Sequence, residues 1–328
     1  MKKVLVTGGS GYLGARICQY LDKQGYFVTA FDRSAPVDQG NWLSSNSEVL
    51  IGDITEIDVI DRLSENDYDV VIHLVSLDHH ESEQEPEKVA QINVMPAWNL
   101  LNRFSKKGLK TFIYFSTVHV YGRLEGRKII ESSSVLPRNA YALTHLMTEN
   151  ICDYYNKVSS INCINLRLSN SYGSPLFSEN NCWWLVMNDL CRSAFYKKKI
   201  SILSDGSPRR DFIHSSDICR TVEYFVNNTV ETTMKNTYNL SSGISTSIYD
   251  LARTIKKIFK SRYGENIPIE LKGEPIQGKL NKVDSSMDYA IDNTALQCLG
   301  LSPRTSIEDG IHELLEYFEQ NNDSDFKI

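Results

Sequence analysis

Tyr141 and His145 stand four residues apart in the stretch YALTH. On a helix that spacing puts both side chains on one face. A phenol accepts a proton only after losing its own, and its unperturbed pKa is ~10. A cation alongside lowers an acid's pKa by about 1–3 units. An imidazole titrates near ~6.5 and is mostly neutral at pH 7, so it gives little of that help. Every pKa unit of such help forgone is worth about 1.4 kcal/mol, or tenfold in phenolate. The imidazole can still donate one hydrogen bond to a hydroxyl, directly or through water. The pair therefore reads as a proton acceptor with a weak activator, or as a packed helix histidine in a pocket that no longer turns over.

The stretch GGSGYLG offers a second chemistry. Gly8, Gly11 and Gly14 satisfy the spacing G-x-x-G-x-x-G, while Gly9, Gly11 and Gly14 satisfy G-x-G-x-x-G. A turn without Cβ atoms lets backbone amides at a helix N-terminus approach a pyrophosphate. The context supports this, because KKVLVT before it reads as a strand and ARICQYLDKQG after it as an amphipathic helix. Asp32, eighteen residues after Gly14, ends the next strand, FVTAFDRS. A carboxylate there can accept both hydroxyls of an adenosine ribose and repels a 2′-phosphate, which favours NAD over NADP. Arg33 beside it works the other way, since it could pair with that phosphate. Asp53 in IGDI reads either as a contact to the adenine edge or as a local Asx turn.

Metal chemistry is not expected. The seven cysteines include no C-x-x-C pair, and their odd number argues against a disulfide framework, so reduced cytoplasmic thiols fit best. His79 and His80 are adjacent in LDHHESEQEPE, which reads as a mobile polar loop near a cleft mouth, where neighbours point apart. A net charge of −6 argues against a nucleic-acid partner, which needs a basic face. The apolar run after the N-terminal lysines is too short for a signal peptide, and CWWLVM, the densest apolar patch, falls far short of the roughly 20 residues of a membrane span.

Strands and helices alternate along the first half, and these elements must position the groups above. YDVVIHLVS is an apolar run of the kind buried on both faces of a parallel sheet. EKVAQINVMPAWNLLNRFSKKG reads as one long helix ending at Gly108. TFIYFSTVHVYG reads as one strand, NAYALTHLMTENICDYYNKV as a helix with Asn139 as N-cap, and INCINLRLSNSYG as a strand. After about residue 169 the alternation loosens. KKISILSDGSPRRDFIH reads as two short strands around an Asp-Gly turn, and SSDICRTVEYFVNN and TSIYDLARTIKKIF as helices. The last helix begins at SIEDG, where Ser306 and Asp309 resemble a capping box, and the tail NNDSDFKI is expected to fray. The pattern predicts a doubly wound parallel sheet with a second lobe packed against it across a cleft.

With these stretches in order, TGGSGYLG, VIHLVS, INVMPAWNLL, FSTVHVYG, YALTH, RLSNSYG and RRDFIHSSD, the chain resembles the extended short-chain dehydrogenase/reductase family, the NAD-dependent nucleotide-sugar epimerases and dehydratases. The resemblance covers nearly the whole chain. It implies an α/β, Rossmann-like fold: residues 1–168 with a return segment at about 211–241 bind NAD, and 169–210 with 242–328 form a smaller C-terminal substrate-binding lobe. The family's motif is Tyr-x-x-x-Lys, so His145 stands where the lysine should be. By resemblance, Tyr141 is the base, Thr117 binds the reacting oxygen, and Ser116, Asn170 and Arg210 contact a nucleoside-diphosphate sugar, the latter two at its diphosphate. An arginine suits phosphate because its planar fork can grip oxygens in pairs; the bland reading of Arg210 is a surface ion pair with Asp211. Cofactor contacts are implied for Gly8, Gly11, Tyr12, Leu13, Gly14, Asp32, Asp53, Ile54, Leu74, Asn93, Tyr141 and His145. A homodimer through the Tyr141 helix and the long helix before it is also implied.

The resemblance narrows the reaction. The family's dehydratases carry Asp-Glu just after the catalytic threonine, where this chain has Val118 and His119. Valine has no proton to move, so dehydration by that pair is disfavoured. His119, two residues from Thr117, would leave a strand on the same face and could move a proton beside a ketone, in a 3,5-epimerase or dehydratase variant; the bland reading is a core histidine bonded to a backbone carbonyl. Epimerisation at C4, or simple oxidation or reduction there, needs no such group and is the expected activity, in polysaccharide building. The competing expectation is an NAD(H)-binding regulatory or scaffold protein without turnover. Around Asp288 the chain has Met287 and Tyr289 where relatives place a phosphate-binding arginine.

Overall fold

The structure, a computed structural model, describes residues 1–36, 40, 42–124, 128–228, 236–272 and 289–321. The first half runs β1 (Lys3–Thr7), α1 (Tyr12–Lys23), β2 (Phe27–Asp32), β3 (Glu48–Ile51), α2 (Ile57–Leu63), β4 (Val70–His73), α3 (His79–Gln84), α4 (Pro86–Asn93), α5 (Met95–Phe104), β5 (Thr111–Thr117), β6 (Lys128–Ile129), α6 (Ala140–Val158) and β7 (Asn162–Leu168). The second runs β8 (Asn170–Tyr172), α7 (Val186–Lys197), β9 (Ile200–Ile202), β10 (Arg209–His214), α8 (Ser215–Asn227), β11 (Thr237–Leu240), β12 (Ser245–Ser247), α9 (Ile248–Tyr263), β13 (Ile269–Leu271), β14 (Ala290–Ile291), α10 (Thr294–Gln297) and α11 (Ile307–Gln320).

Seven strands form one sheet in the order β11-β7-β5-β4-β1-β2-β3, every neighbour parallel. The order reverses beside β1, which is where an open α/β sheet opens a crevice at the carboxyl ends of its strands. Helices cover both faces, and the period-two pleat of β1 shows it. Val4 and Val6 pack with Ile17 and Leu21 of α1 and Val222 and Phe225 of α8 on one side. Leu5, between them, packs with Ile60, Leu100 and Phe104 on the other. The fold is the doubly wound, Rossmann-like α/β class that the alternation predicts.

Beyond Leu168 the chain leaves this sheet and returns to it only at β11. β8 lies parallel to β10, which pairs antiparallel with β12, in a separate three-stranded sheet. Leu190 of α7, Leu251 and Ile255 of α9, and Leu314 and Phe318 of α11 build a third core around it.

Four readings of the sequence change. The long helix is two, broken at Val94 (φ −113°, ψ −53°), because Pro96 has no N–H to give the Ile92 carbonyl and its ring crowds that turn. LDHHESEQ is helical rather than a loop: Asp78 accepts from the Glu81 N–H (2.9 Å), and the Glu81 carboxylate accepts from the Asp78 N–H (3.4 Å), a reciprocal cap that starts α3. The strand at FSTVHVYG ends at Thr117 and passes into a 3₁₀ turn, Val118–Tyr121. INCINLRLSNSYG is two strands in two sheets, and the strands flanking the Asp-Gly turn pair with different partners. The caps at Asn139 and Ser306 form as expected, accepting from Ala142 N and Asp309 N.

Candidate functional site

A cavity of about 1060 Å³ lies along the carboxyl ends of β1 to β5 and β7, between the large sheet and the second lobe. Its first wall is the glycine turn. Gly8 has φ +77°, a backbone state that glycine adopts without strain, and its carbonyl accepts from Gly11 N (3.1 Å). A Cβ on Gly14 would lie 1.9 Å from that same carbonyl oxygen, so α1 can pack on the turn only without a side chain there. Gly9 serves another contact, because a Cβ there would meet Ala30 and the Val6 carbonyl at 2.9 Å; its absence lets the turn close against β2. Gly11, the N-cap of α1, makes no side-chain cap, which leaves the first amides of the helix for an anion. Tyr12 and Leu13 line the cavity from that helix, and Tyr12 Oη donates to the Gly173 carbonyl (2.9 Å) across the lobes.

Asp32 is held at the end of β2. Its two carboxylate oxygens accept from Ser10 N (2.9 Å) and Arg33 N (2.7 Å), which fixes the carboxylate beside the glycine turn with lone pairs to spare. Asp53 makes the Asx turn, accepting from Thr55 N (2.9 Å) and Thr55 Oγ1 (2.7 Å), bonds that hold its carboxyl below the usual range. Its residue, with Ile54, also lines the cavity, as does Leu74 at the end of β4. A tight turn that only glycines can form at the N-terminus of α1, followed by a fixed carboxylate, suits a dinucleotide with unmodified ribose hydroxyls, so the residues present fit NAD.

At the other end of the cavity stand Tyr141, His145, Thr117 and His119. Glu83 of α3 accepts from Ala140 N (3.0 Å) and ties α3 to the first turn of α6, the helix that carries Tyr141. The Tyr141 and His145 rings cross edge-on with centroids 4.4 Å apart. Burial pushes the Tyr141 phenol up to about 12, against an opposing hydrogen bond to Thr117; the charged group that bears on it is Asp78, a carboxylate, which raises it further. Burial drives His145 down to about 3, and His119 and His73 add to that, so His145 is neutral at any physiological pH. Thr117 Oγ1 accepts from His119 N (3.2 Å), which leaves its own proton to donate toward Tyr141 or a substrate oxygen. His119 is exposed on the cavity wall, 6.2 Å from Tyr141 between ring centroids. That replaces the core-histidine reading, and the 3₁₀ turn, not a strand face, brings it there.

The structure moves other residues. Asn93 does not reach the cavity wall: it is fully buried, accepts from Leu77 N (2.8 Å) and donates to Thr144 Oγ1 (3.1 Å), so it shapes the 74–78 segment from behind. Ser116 lines the cavity, but its hydroxyl donates to Glu149 Oε1 (2.5 Å), away from it. Asn170 lines the cavity and donates to the Asp211 carbonyl (2.9 Å). Arg210 is exposed, donates to the Arg209 carbonyl and is not on the described wall. Asp211 is buried and bonded to Ser169 and Ser242, so no surface pair with Arg210 forms. Met287 and Asp288 lie outside the described residues, as does 322–328. Sequence reasoning missed Asp78, Lys88 and Trp184, which line the cavity. The capping pair Asp78/Glu81 was the signal for the first. Among the described residues no cluster of metal ligands occurs, and no helix is long and apolar enough to cross a membrane.

Fold and site together define a doubly wound α/β protein whose cavity fits a nicotinamide dinucleotide. The profile of the NAD dependent epimerase/dehydratase family matches residues 4–241, and the chain belongs to that family. It is 27% identical over 354 residues to UDP-glucose 4-epimerase 3 of Oryza sativa, covering 97% of this chain and 90% of that one. It is 26% identical over 322 residues to the low-salt glycan biosynthesis protein Agl12 of Haloferax volcanii, covering 96% and 98%. Among solved structures, UDP-glucuronic acid 4-epimerase from Bacillus cereus in complex with NAD superposes with a TM-score of 0.79 at 24% identity, covering 98% of this chain and 100% of that one.

Proposed function

We propose that this protein is an NAD-dependent epimerase or oxidoreductase acting at C4 of a nucleoside-diphosphate sugar. The observation that carries the reading is the meeting of Tyr141, Thr117 and His145 at one end of a cavity whose other end is the glycine turn with Asp32. NAD, when bound, supplies the two-electron acceptor and donor. Gly8, Gly11 and Gly14 admit its pyrophosphate, Asp32 takes the adenosine ribose hydroxyls, and His145 offers a neutral hydrogen bond near the reacting end. Tyr141 takes the proton of the C4 hydroxyl as the carbon is oxidised and returns it on reduction. Thr117 donates to the same oxygen and steadies it between proton transfers. Val118, where the dehydratases of this resemblance carry an acid, is packed in a small core with Tyr121 and Ile129, so it contributes no proton.

Residues 1–168 with 211–241 would hold the dinucleotide, and 169–210 with 242–328 the sugar nucleotide, Asn170 facing its diphosphate from the cavity wall, while Arg210 is exposed and lies off that wall. Trp98 of α5 and Leu143, Met147 and Tyr154 of α6 are 43–54% exposed, an apolar face suited to a cytoplasmic homodimer. The Agl12 likeness extends the reading to glycan building.

A second reading, an NAD-binding protein without turnover, is favoured by the phenol proton held at about 12 with no cation among the described residues acting on it. The two part on one experiment. Sugar nucleotides with different bases and C4 configurations are incubated with the NAD-loaded chain, and the reduced-nicotinamide absorbance and the product sugars are followed. Turnover lost in Tyr141→Phe supports the enzyme; cofactor binding with no change in any sugar supports the binder.

A further inference from the structure

His145 is 2% exposed and sits in the cavity wall, yet only one of its ring nitrogens has a hydrogen-bond partner. Nδ1 is 2.7 Å from the hydroxyl of Tyr114, a fully buried residue of β5. Nε2 is buried and unpartnered. A neutral imidazole carries its one proton on either nitrogen, and the bond made by the other nitrogen decides which.

The surroundings of Tyr114 settle the direction. Thr148, which also faces the phenol, has committed its proton to the carbonyls of Asn93 and Thr144 (3.1 Å each), so it has none to give. The phenol is a strong donor, and the imidazole nitrogen at 2.7 Å is a closer and stronger acceptor for its proton than the Thr148 oxygen. The imidazole centroid lies 5.7 Å from that of Tyr114 and 4.4 Å from that of Tyr141, and His145 is one of the residues that line the cavity.

We infer that Tyr114 is a positioning residue that fixes His145 as the Nε2–H tautomer, so that this chain has a neutral N–H donor to offer a ribose hydroxyl of the dinucleotide, in place of the lysine of the Tyr-x-x-x-Lys motif it resembles. The inference rests on the NAD reading of the cavity for its ligand, but not for the tautomer itself. It makes Tyr114 and His145 one unit. The hydrogen bond to the ribose is retained, while the charge beside the catalytic tyrosine is not.

The tautomer is read directly. In protein labelled with ¹⁵N-histidine, long-range proton–nitrogen correlations distinguish a protonated from a bare ring nitrogen. The wild-type protein is expected to show His145 with Nε2 protonated and Nδ1 bare, and Tyr114→Phe to lose that fixed pattern. NAD affinity, measured by calorimetry, is expected to fall about three- to tenfold in Tyr114→Phe, the size of one neutral hydrogen bond. In a His145→Ala background the same Tyr114 substitution is expected to change affinity less than about twofold, since the two act as a unit. A wild-type His145 protonated on Nδ1, or on both nitrogens, overturns the inference, as does an equal loss of affinity in both backgrounds. If the wild-type protein binds no NAD, the cofactor reading fails, and the spectrum alone still decides the tautomer.

Discussion

Arg167 Nη2 lies 2.7 Å from Glu149 Oε2, with the two side chains 8% and 4% exposed. The pair sits behind the Ser116 side of the cavity wall. Glu149 also accepts from Ser116, the residue before Thr117, and the Arg167 guanidinium lies 4.8 Å over the Tyr121 ring. Removing one member leaves the other charged and buried. Glu149→Gln is expected to cost about 3–5 kcal/mol in urea unfolding, while replacing both residues by Leu and Met is expected to recover most of it. Equal losses in the single and the double variant would show that the pair contributes attraction rather than merely balancing charge.

Activity is expected to climb with pH. On the proposed mechanism Tyr141 acts as the phenolate, and with the phenol pushed up to about 12 the phenolate is scarce at neutrality and grows tenfold per pH unit below that value. kcat/KM should therefore rise with unit slope from about pH 7 to 10. Tyr141→Phe should lower it by about 10²- to 10⁴-fold and abolish the slope. A plateau near neutrality would contradict the absence of an activating cation.

His145→Lys is expected to restore that cation. Turnover at pH 7 should rise about tenfold for each pKa unit by which the ammonium lowers the phenol, and the pH profile should move to lower pH. The Tyr114 hydroxyl would lose its acceptor, so stability should fall by about 1–3 kcal/mol. Loss of turnover in this variant would instead assign the imidazole a role of its own.

Gly14→Ala tests the cradle. The added Cβ would fall 1.9 Å from the Gly8 oxygen, so the turn or the start of α1 must shift. NAD affinity should drop at least about tenfold, with a stability loss of about 1–3 kcal/mol. Calorimetry showing unchanged affinity would place the dinucleotide elsewhere.

Acid stability should depend on Glu313. Burial raises its carboxyl, but the His214 imidazole 2.8 Å away, the Ser174 hydroxyl and the Arg16 charge outweigh that and hold it at about 2. An unfolded glutamate titrates near ~4.3. The stabilisation is therefore complete above about pH 4.3 and is lost as pH falls from there toward 2. Melting temperatures across that window should drop less steeply in Glu313→Gln; an unchanged slope would remove Glu313 from the acid transition.

What the sequence determined by itself is whatever is local or periodic. Gly8 and Gly14 announce a turn because no other residue type fits it, and Asp32 follows at the end of an apolar run that can only be a buried strand. Tyr141 and His145 share a face because helix geometry puts four-apart residues there. The missing ammonium was likewise legible, since it is a matter of residue type. What only the tertiary structure decided depends on partners far away in the chain. Tyr114 reaches His145 because β5 and α6 pack together, and that bond sets which nitrogen of the imidazole faces the cavity. Asn93 turned out to be scaffold because the 74–78 segment folds back over it, and His119 reached the cavity through a 3₁₀ turn that its strand-like sequence conceals. Residue types and short spacings fix which groups are available; the packing of distant elements fixes their partners, their protons and the direction they face.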